Sequence, residues 1–184
     1  MEAALELFSQ KGFHGTTMAQ VAKKAGVGVG TIYQHFKNKE ELYLSPLEEI
    51  CQELLSQLHA LIKEGEGTRE TLKRLLAAQT AFVEEHRPFF KLYLSEQLAT
   101  LEAVRNSLGV SGEKIYGQFF NLHREVIERG IKRGELKNLP PDHLTRAFMG
   151  ILNSFFFDWL KGRITDLREV QDIALTIFME GAVP

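Results

Sequence analysis

Apolar residues recur every three or four positions along almost the whole chain of 184 residues. No stretch alternates between apolar and polar residues for long enough to predict a strand. A spacing of three to four places apolar side chains on one face of an α-helix, where they can be buried against other helices. The pattern therefore predicts an all-α protein of about nine helices.

Capping and helix-breaking residues predict where these helices begin and end. Thr17 with Gln20, and Asp166 with Glu169, have the spacing of capping boxes, whereas Asn106 to Gly112 is typical of a loop. The expected helices are Glu2 to Lys11, Thr17 to the residue before Gly26, Val29 to Phe36, Asn38 to Lys63, Thr68 to Glu85, a segment around Phe89 to Leu98, Gly112 to Arg133, Pro140 to Gly162, and Asp166 onward.

The formal net charge of −2 is an average over two unlike parts of the chain. No acidic residue lies between Leu7 and Lys39, a stretch that contains the lysines Lys11, Lys23, Lys24, Lys37 and Lys39. Most acidic residues therefore lie elsewhere. A small basic module joined to an acidic body is typical of a protein that binds nucleic acid.

The composition excludes several other classes of protein. The single cysteine, Cys51, cannot form an internal disulfide, and its apolar neighbours indicate a buried side chain rather than a reactive thiol. The longest apolar stretch, Ala147 to Leu160, contains polar residues and is too short for a membrane span. Met1 leads into Glu2 without the basic and apolar regions of a secretory signal. We therefore expect a cytoplasmic protein without membrane contact.

The segment from Thr17 to Phe36 has the spacing of a DNA-binding helix-turn-helix, with Gly26 at the turn. In its second helix, one face can turn inward and the opposite face is small and polar, which suits a DNA groove. The inward residues would be Val29, Ile32 and Phe36, and the opposite residues Gly30, Thr31, Gln34 and Lys37. A purely structural pair of helices can have the same pattern, so both interpretations stay open.

A wider match makes the DNA-binding interpretation more specific. The segment AALELFSQKGFHGTTMAQVAKKAGVGVGTIYQHFKNKEELY, Ala3 to Tyr43, resembles the N-terminal domain of TetR-family transcriptional repressors. The resemblance lies in the ordered elements LF with a following G-F loop, the Thr-Thr cap, VAKKAGV, GTIYQHF and K-N-K-E-E-L. It implies a three-helix DNA-binding domain over residues 1–43 and a helical ligand-binding and dimerisation domain over residues 44–184.

The resemblance also implies which residues contact DNA. Thr17 would cap its helix and give its hydroxyl or its backbone amide to a phosphate. Thr31, Tyr33 and His35 would contact the DNA backbone. Lys39 matches a lysine that binds phosphate; the alternative is a solvated surface lysine. Met18, Val29, Gly30 and Gln34 occupy or border the base-reading positions, and Gln34 could pair with adenine.

Related proteins usually have one or two further turns before the first helix, so an N-terminal arm is absent or the sequence begins late.

The remaining helices are unusually rich in aromatic residues, which is compatible with a core or with a ligand pocket. We expect a pocket for an apolar or aromatic small molecule. Its expected wall is Phe90, Tyr93, Phe119, His123 and Phe156, with Gln97 and Asn153 as polar anchors.

The resemblance implies a mechanism as well. A homodimer formed through the last two helices would bind a palindromic operator in double-stranded DNA, and a hydrophobic effector would release it. Pro46, inside the fourth helix, is either a hinge for this change or a harmless local kink. Repression is the expected outcome, and activation stays open.

No catalytic or metal-binding motif competes with this interpretation. The six histidines are scattered without metal-ligand spacing. His123-Arg124-Glu125 is expected to be a solvated helix face rather than a catalytic unit. We therefore expect no enzyme activity, metal or cofactor. The remaining competitor is a helical ligand-binding protein whose DNA-binding module is degenerate.

Overall fold

The computed structural model describes residues 2–87, 90 and 101–183, without the side chains of residues 44, 47 and 101–112. The helices in this part of the chain are α1 (Glu2–Gly15), α2 (Met18–Ala25), α3 (Val29–His35), α4 (Lys39–Leu61), α5 (Thr68–Glu85), α6 (Leu101–Lys132), α7 (Pro141–Leu160) and α8 (Leu167–Ala182). None of the described residues lies in a strand, and the predicted all-α fold is confirmed. None of the described helices is long and apolar enough to cross a membrane.

The chain divides into two compact units. The first comprises Met1–Gln52 and His86–Ile115, and the second comprises Glu53–Glu85 and Tyr116–Pro184. The domain boundary expected at residue 43 lies inside α4, and it stays a prediction.

The first unit contains a small core to which α1, α2, α3 and the start of α4 contribute. Its buried residues are Ala4, Leu7, Phe8, Met18, Val21, Ala22, Ile32 and Leu42. On α1 and α2 they are spaced so that each helix buries one face. Because α3 contributes only Ile32 to this core, its remaining residues are exposed.

The backbone of α1 is interrupted at Gly12, where φ is 70° and ψ is 175°. This conformation favours glycine because it would strain a residue that carries a Cβ. The predicted break at Gly12 is therefore confirmed. The first helical run thus ends at Lys11 as predicted, and the residues after Gly12 return to a helical conformation as far as Gly15, where α1 ends.

In the second unit, α8 packs against both α5 and α7. Phe148 on α7 and Phe178 on α8 are in edge-to-face contact, with ring centroids 5.0 Å apart. The largest fully buried side chains of this unit are Leu58, Leu72, Leu75, Leu122, His123, Ile127, Leu136, Phe148, Trp159 and Leu167.

The predicted loop from Asn106 to Gly112 is wrong, because α6 runs from Leu101 to Lys132. Glycine costs a helix only about 1 kcal/mol relative to alanine. A long helix that is extended on both sides of such a residue can absorb this cost. The helix expected around Phe89 to Leu98 lies outside the described residues, apart from Phe90.

The other helix ends follow their capping signals closely. α5 has the predicted bounds, and α4 ends at Leu61, two residues before the predicted end. The carboxylate of Asp166 caps α8 by accepting a hydrogen bond from the amide of Arg168 at 2.9 Å. The predicted capping box has the amide of Glu169, one residue later, as the donor. Cys51 is buried as predicted, and burial raises the pKa of its thiol to about 12.

Candidate nucleic-acid interface and effector site

α2 and α3 form the helix-turn-helix predicted for this segment. Gly26 ends α2 in the left-handed conformation, with φ 70° and ψ 26°. The amide of Val27 donates to the carbonyl of Ala22 at 3.0 Å, which satisfies one of the last carbonyls of α2. The short turn brings α3 into contact with α2.

The solvent face of α3 carries no carboxylate. Val29 is 41% exposed and Tyr33 is 53% exposed, and Gly30, Thr31, Gln34 and His35 are also exposed. The inward orientation expected for Val29 is therefore wrong, whereas Ile32 is buried and Phe36 packs against the core as predicted. Hydroxyl, amide and imidazole groups on an uncovered face can bind phosphates and base edges.

Thr17 forms the predicted capping box with Gln20. Its hydroxyl oxygen accepts from the Gln20 amide at 3.3 Å, and its own amide donates to Gln20 Oε1 at 3.0 Å. The amide proton of Thr17 is thus used within the protein. The hydroxyl proton is the donor that Thr17, which is exposed, can still offer to a phosphate.

Met18 packs in the core of the first unit and is only 7% exposed. Its position explains this, because Met18, Val21 and Ala22 form one apolar face of α2. The expectation that Met18 contacts bases is therefore not supported, since little of its side chain reaches the surface.

Lys39 is half-buried at the start of α4. Its Nζ donates to the carbonyl oxygen of Phe13 at 2.9 Å and lies 4.2 Å from the centroid of the Phe13 ring. Both contacts are internal, and the sequence did not indicate them. The phosphate contact predicted for Lys39 is untested by this geometry.

Two hydrogen bonds that involve Lys37, Asn38 and Glu41 hold the segment that joins α3 to α4. The amide of Glu41 donates to Asn38 Oδ1 at 2.8 Å, and the amide of Lys37 donates to Glu41 Oε2 at 2.6 Å. The predicted Asn38 cap is confirmed, and Glu41 gives the segment after α3 a fixed conformation.

The lysines of the first unit are mostly available to solvent. Lys11, Lys23 and Lys37 are exposed. Lys24 pairs with Glu6 at 2.7 Å, and this hydrogen bond lowers the pKa of the Glu6 carboxyl. The acid-free stretch therefore presents positive charge at the surface around α2 and α3.

The residues expected to line the effector pocket fall into three groups. Phe119, His123 and Phe156 belong to the second unit, where both phenylalanines are half-buried. Phe90 is half-buried in the first unit, and Tyr93 and Gln97 lie outside the described residues. Asn153 is exposed on α7, and its role as a polar anchor stays a prediction.

His123 is the most buried of these residues, at 1% exposed. Its Nδ1 lies 2.8 Å from the carbonyl oxygen of Phe119, and its Nε2 lies 3.2 Å from Nε2 of Gln79. Burial lowers the pKa of His123 to about 4, against the opposing effect of the Phe119 carbonyl. The ring is therefore neutral near pH 7, with the proton on Nδ1 facing that carbonyl and Nε2 accepting from Gln79.

Gln79, on α5, was not singled out by the sequence because its partner lies on another helix. Its Oε1 is buried, and no group in the described part of the chain donates to it. A buried acceptor without a donor is costly, at about 1–3 kcal/mol. Gln79 and His123 thus form a buried polar pair between α5 and α6 with one unmatched acceptor.

The prediction that His123-Arg124-Glu125 forms a solvated helix face is wrong for His123 and correct for its two neighbours. Arg124 is at the surface, where it pairs with Asp142 at 2.7 Å and with Glu128 at 2.9 Å. Glu125 pairs with Arg129 four residues later. The helical periodicity turns His123 inward while its two neighbours face solvent.

A small cavity in the second unit is lined by Ile62, Lys63, Glu66, Thr68, Thr71, Val126, Arg129 and Arg133. Arg74 binds both carboxylate oxygens of Glu66, and Arg133 donates to the Glu66 carbonyl. Glu135 accepts from the amide of Thr68 at 2.6 Å. The side chain and the backbone of Thr68 together lower the pKa of the Glu135 carboxyl. These hydrogen bonds fix the start of α5 against the end of α6.

Within the residues that the structure describes, no group of three or more histidine, cysteine or acidic side chains could hold a metal ion.

Comparison with known proteins identifies the family. The model of the family described as bacterial regulatory proteins, tetR family, matches residues 1–45. The uncharacterized HTH-type transcriptional regulator YhgD of Bacillus subtilis (strain 168) is 30% identical over 161 residues, which are 88% of this chain and 82% of that protein. The chain belongs to the TetR family. The resemblance seen in its first 43 residues is thereby confirmed, and this TetR-family chain is a DNA-binding transcriptional regulator.

Two further comparisons cover almost the whole chain. The fatty acid metabolism regulator protein of Bacillus subtilis (strain 168) is 25% identical over 184 residues, which are 98% of this chain and 92% of that protein. The crystal structure of the transcriptional regulator FadR from Bacillus subtilis in complex with stearoyl-CoA has a TM-score of 0.81 and 23% identity. The match covers 98% of this chain and 96% of that chain. This likeness shows that the TetR-family fold extends over the described helices.

Proposed function

We propose that this TetR-family regulator is a homodimeric repressor that binds a palindromic operator and leaves it when a hydrophobic effector binds. The observation that carries the proposal is the exposed, carboxylate-free face of α3 beside the capped turn at Gly26. Because bacterial DNA lies in the cytoplasm, we place its action there.

The proposed DNA contacts follow from exposure and chemistry. Thr17, Thr31, Tyr33 and His35 carry donors that can reach phosphates, and all four are exposed. For base edges we propose Val29, Gly30 and Gln34, where Gln34 can form two hydrogen bonds to adenine and Val29 can contact a thymine methyl. Met18 is left out because it is buried.

An apolar surface on α8 supports a homodimer. Ile173 and Ile177 are each 51% exposed, and their spacing of four places them on one face of the helix. The same helix packs against α7 on another side. Two copies of this face can bury one another symmetrically, which gives the dimer that a palindromic operator requires.

For the effector we propose a long-chain acyl compound. The similar Bacillus subtilis regulators act in fatty acid metabolism or bind stearoyl-CoA, as their descriptions state. In the second unit, the half-buried rings of Phe119 and Phe156 are candidate contacts for an apolar chain, and the buried His123 is a candidate polar contact. Pro46, which is buried within α4, is the proposed hinge for release from DNA.

In vitro selection from random duplex DNA, followed by footprinting, tests the DNA-binding half of the proposal. We expect a palindromic sequence protected on both half-sites, and Gln34→Ala should weaken binding by about 5–150-fold, as expected for a loss of about 1–3 kcal/mol at one base pair. Glu125→Gln, on α6, is the matched control and should leave binding unchanged. Binding that is salt-sensitive but sequence-blind would contradict the proposal and support a degenerate module.

Titration of the operator complex with stearoyl-CoA tests the proposed effector class. Stearoyl-CoA is expected to release the operator at concentrations at which free coenzyme A has no effect. The buried Trp159 reports binding independently through its fluorescence. If stearoyl-CoA neither changes this fluorescence nor releases DNA, the proposed effector class is wrong. Release of a reporter gene from repression on the same addition distinguishes repressor from activator.

A further inference from the structure

The hydrogen bonds of His123 determine which group Gln79 can offer to a ligand. The Phe119 carbonyl, 2.8 Å from Nδ1 of His123, is an acceptor only, so the neutral ring carries its proton on Nδ1. Nε2 of His123 is therefore an acceptor, and the amide nitrogen of Gln79, 3.2 Å away, donates to it. If the amide turned over, its oxygen would face another acceptor. Oε1 of Gln79 is thus held in place as an acceptor that points away from His123 Nε2.

This acceptor has no donor among the described residues, although Gln79 is only 7% exposed. An oxygen that loses water without gaining a new donor is costly to bury. Thr71, Thr80 and Thr145, which are also buried in the second unit, each donate to an oxygen of the protein. Oε1 of Gln79 is therefore open to a donor supplied by a bound molecule.

The surroundings of Gln79 favour a molecule that is largely apolar. Within about one turn of α5 on either side, its buried apolar neighbours are Leu75, Leu76, Phe82 and Val83. The ring of His123 lies 5.4 Å from that of Phe148, which is fully buried. Charged groups are disfavoured in such surroundings because burial costs them their hydration. A hydrocarbon chain that carries one hydroxyl suits both the apolar neighbours and the acceptor.

The pair of Gln79 and His123 also lies beside a proposed contact for the acyl chain. Phe119 precedes His123 by four residues, so the two side chains occupy one face of α6. A chain that contacts the half-buried ring of Phe119 can therefore bring a hydroxyl to Gln79.

We propose that Gln79 makes this regulator selective for a long-chain acyl effector with a hydroxyl group on its chain, whose hydrogen Oε1 of Gln79 accepts. The inference deepens the proposed effector class and rests on it. His123 is a positioning residue, because its Nε2 holds the Gln79 amide with the oxygen presented. The charged coenzyme A portion stays away from this pair, since both side chains are buried among apolar groups.

Release of the operator by matched acyl-CoAs tests the selectivity. Stearoyl-CoA is compared with hydroxystearoyl-CoA isomers that carry the hydroxyl near the thioester, at mid-chain or near the methyl end. We expect one isomer to release the operator from the wild type at a concentration about 10-fold lower than stearoyl-CoA, because its hydroxyl supplies the donor that Gln79 lacks. The fluorescence of the buried Trp159 measures the binding of each effector without DNA.

A variant without the acceptor should reverse this preference. Gln79→Met keeps the approximate length of the side chain but has no amide, so the hydroxyl would be buried without a partner. This variant should bind stearoyl-CoA more tightly than the preferred isomer, by about 5-fold. Gln57→Met is the matched control, because it makes the same change at an exposed glutamine of α4, and it should keep the wild-type preference. Circular dichroism checks that each variant is folded.

The inference is overturned if no hydroxystearoyl-CoA isomer binds the wild type better than stearoyl-CoA, and this comparison needs no variant. It is also overturned if Gln79→Met keeps the preference for the hydroxyl, or if it weakens binding of both effectors alike. In these cases, binding of stearoyl-CoA leaves the proposed effector class intact. If none of the acyl-CoAs changes the fluorescence of Trp159 or releases DNA, the effector class itself is wrong and the inference fails with it.

Discussion

Gly130 on α6 packs so closely against Thr68 at the start of α5 that a Cβ at residue 130 would overlap the Thr68 hydroxyl oxygen. The same Cβ would also lie 3.0 Å from Thr68 Cγ2 and 3.1 Å from Leu136 Cδ1. Both neighbours are buried, so they have little room to move. The absence of a side chain at residue 130 is thus what permits the contact between α5 and α6.

Gly130→Ala should therefore lower the free energy of unfolding by about 1–3 kcal/mol, as expected for overpacking. Gly117→Ala, on the same helix, is the matched control because its Cβ would meet no atom within 4 Å. The control should raise stability by about 0.5–1 kcal/mol through its helix propensity. Urea unfolding of both variants measures the difference; equal effects of the two substitutions would contradict the packing argument.

His123 should make stability depend on pH in a defined direction. Burial lowers its pKa from 6.5 to about 4, so between these values the unfolded chain binds a proton that the native protein does not. The contribution of the neutral ring to the free energy of unfolding is therefore complete above pH 6.5 and is lost as the pH falls toward 4. The free energy of unfolding should fall by about 2 kcal/mol between pH 7 and pH 5. Chemical unfolding at both pH values measures the change.

The control for this pH effect is the difference between two histidine variants. His123→Gln removes the buried group and should reduce the loss of stability between pH 7 and pH 5. His143→Gln removes an exposed histidine and should leave the loss unchanged. If the two variants have the same pH dependence, another group is responsible.

Loss of the cap at Thr17 should destabilise the first unit. Thr17→Ala removes the acceptor for the Gln20 amide, and it should cost about 1 kcal/mol in the free energy of unfolding. Thr17→Ser keeps the hydroxyl and should retain most of the stability. Thermal unfolding followed by circular dichroism measures both, and a serine variant as unstable as the alanine variant would show that the cap is not the cause.

The proposed dimer predicts a change in self-association. Ile173→Lys and Ile177→Lys place charges on the exposed apolar face of α8, and together they should weaken dimerisation at least about 10-fold. Sedimentation velocity over a range of protein concentrations measures the change. Tyr116→Lys alters an equally exposed residue on α6 and should leave dimerisation intact. A dimer that tolerates both α8 substitutions must use another surface.

Local signals in the sequence predicted local structure well. Three such features involve only residues within three or four positions of one another. They are the capping box of Thr17 with Gln20, the positive φ of Gly26 and the cap at Asn38. The apolar periodicity likewise predicted the face of α2 that is buried. That same periodicity already included Met18, so the burial of this residue could have been inferred before any base contact was assigned to it.

Features that depend on packing between distant segments could not be predicted. Lys39 meets Phe13 across 26 positions, and His123 meets Gln79 across 44. A charge or an imidazole on a helix has several compatible environments, and the fold alone selects among them.

The two hydrogen bonds at the junction of α3 and α4 have a consequence for how this protein can diversify. One residue inserted between Asn38 and Lys39 would move Lys37 and Asn38 away from their partner Glu41, and it would displace α3 from the position at which Ile32 enters the core. Substitutions on the exposed face leave the junction untouched. New operator preferences can therefore arise by exchange of single side chains, while a gain or loss of chain length at this point would abolish recognition altogether.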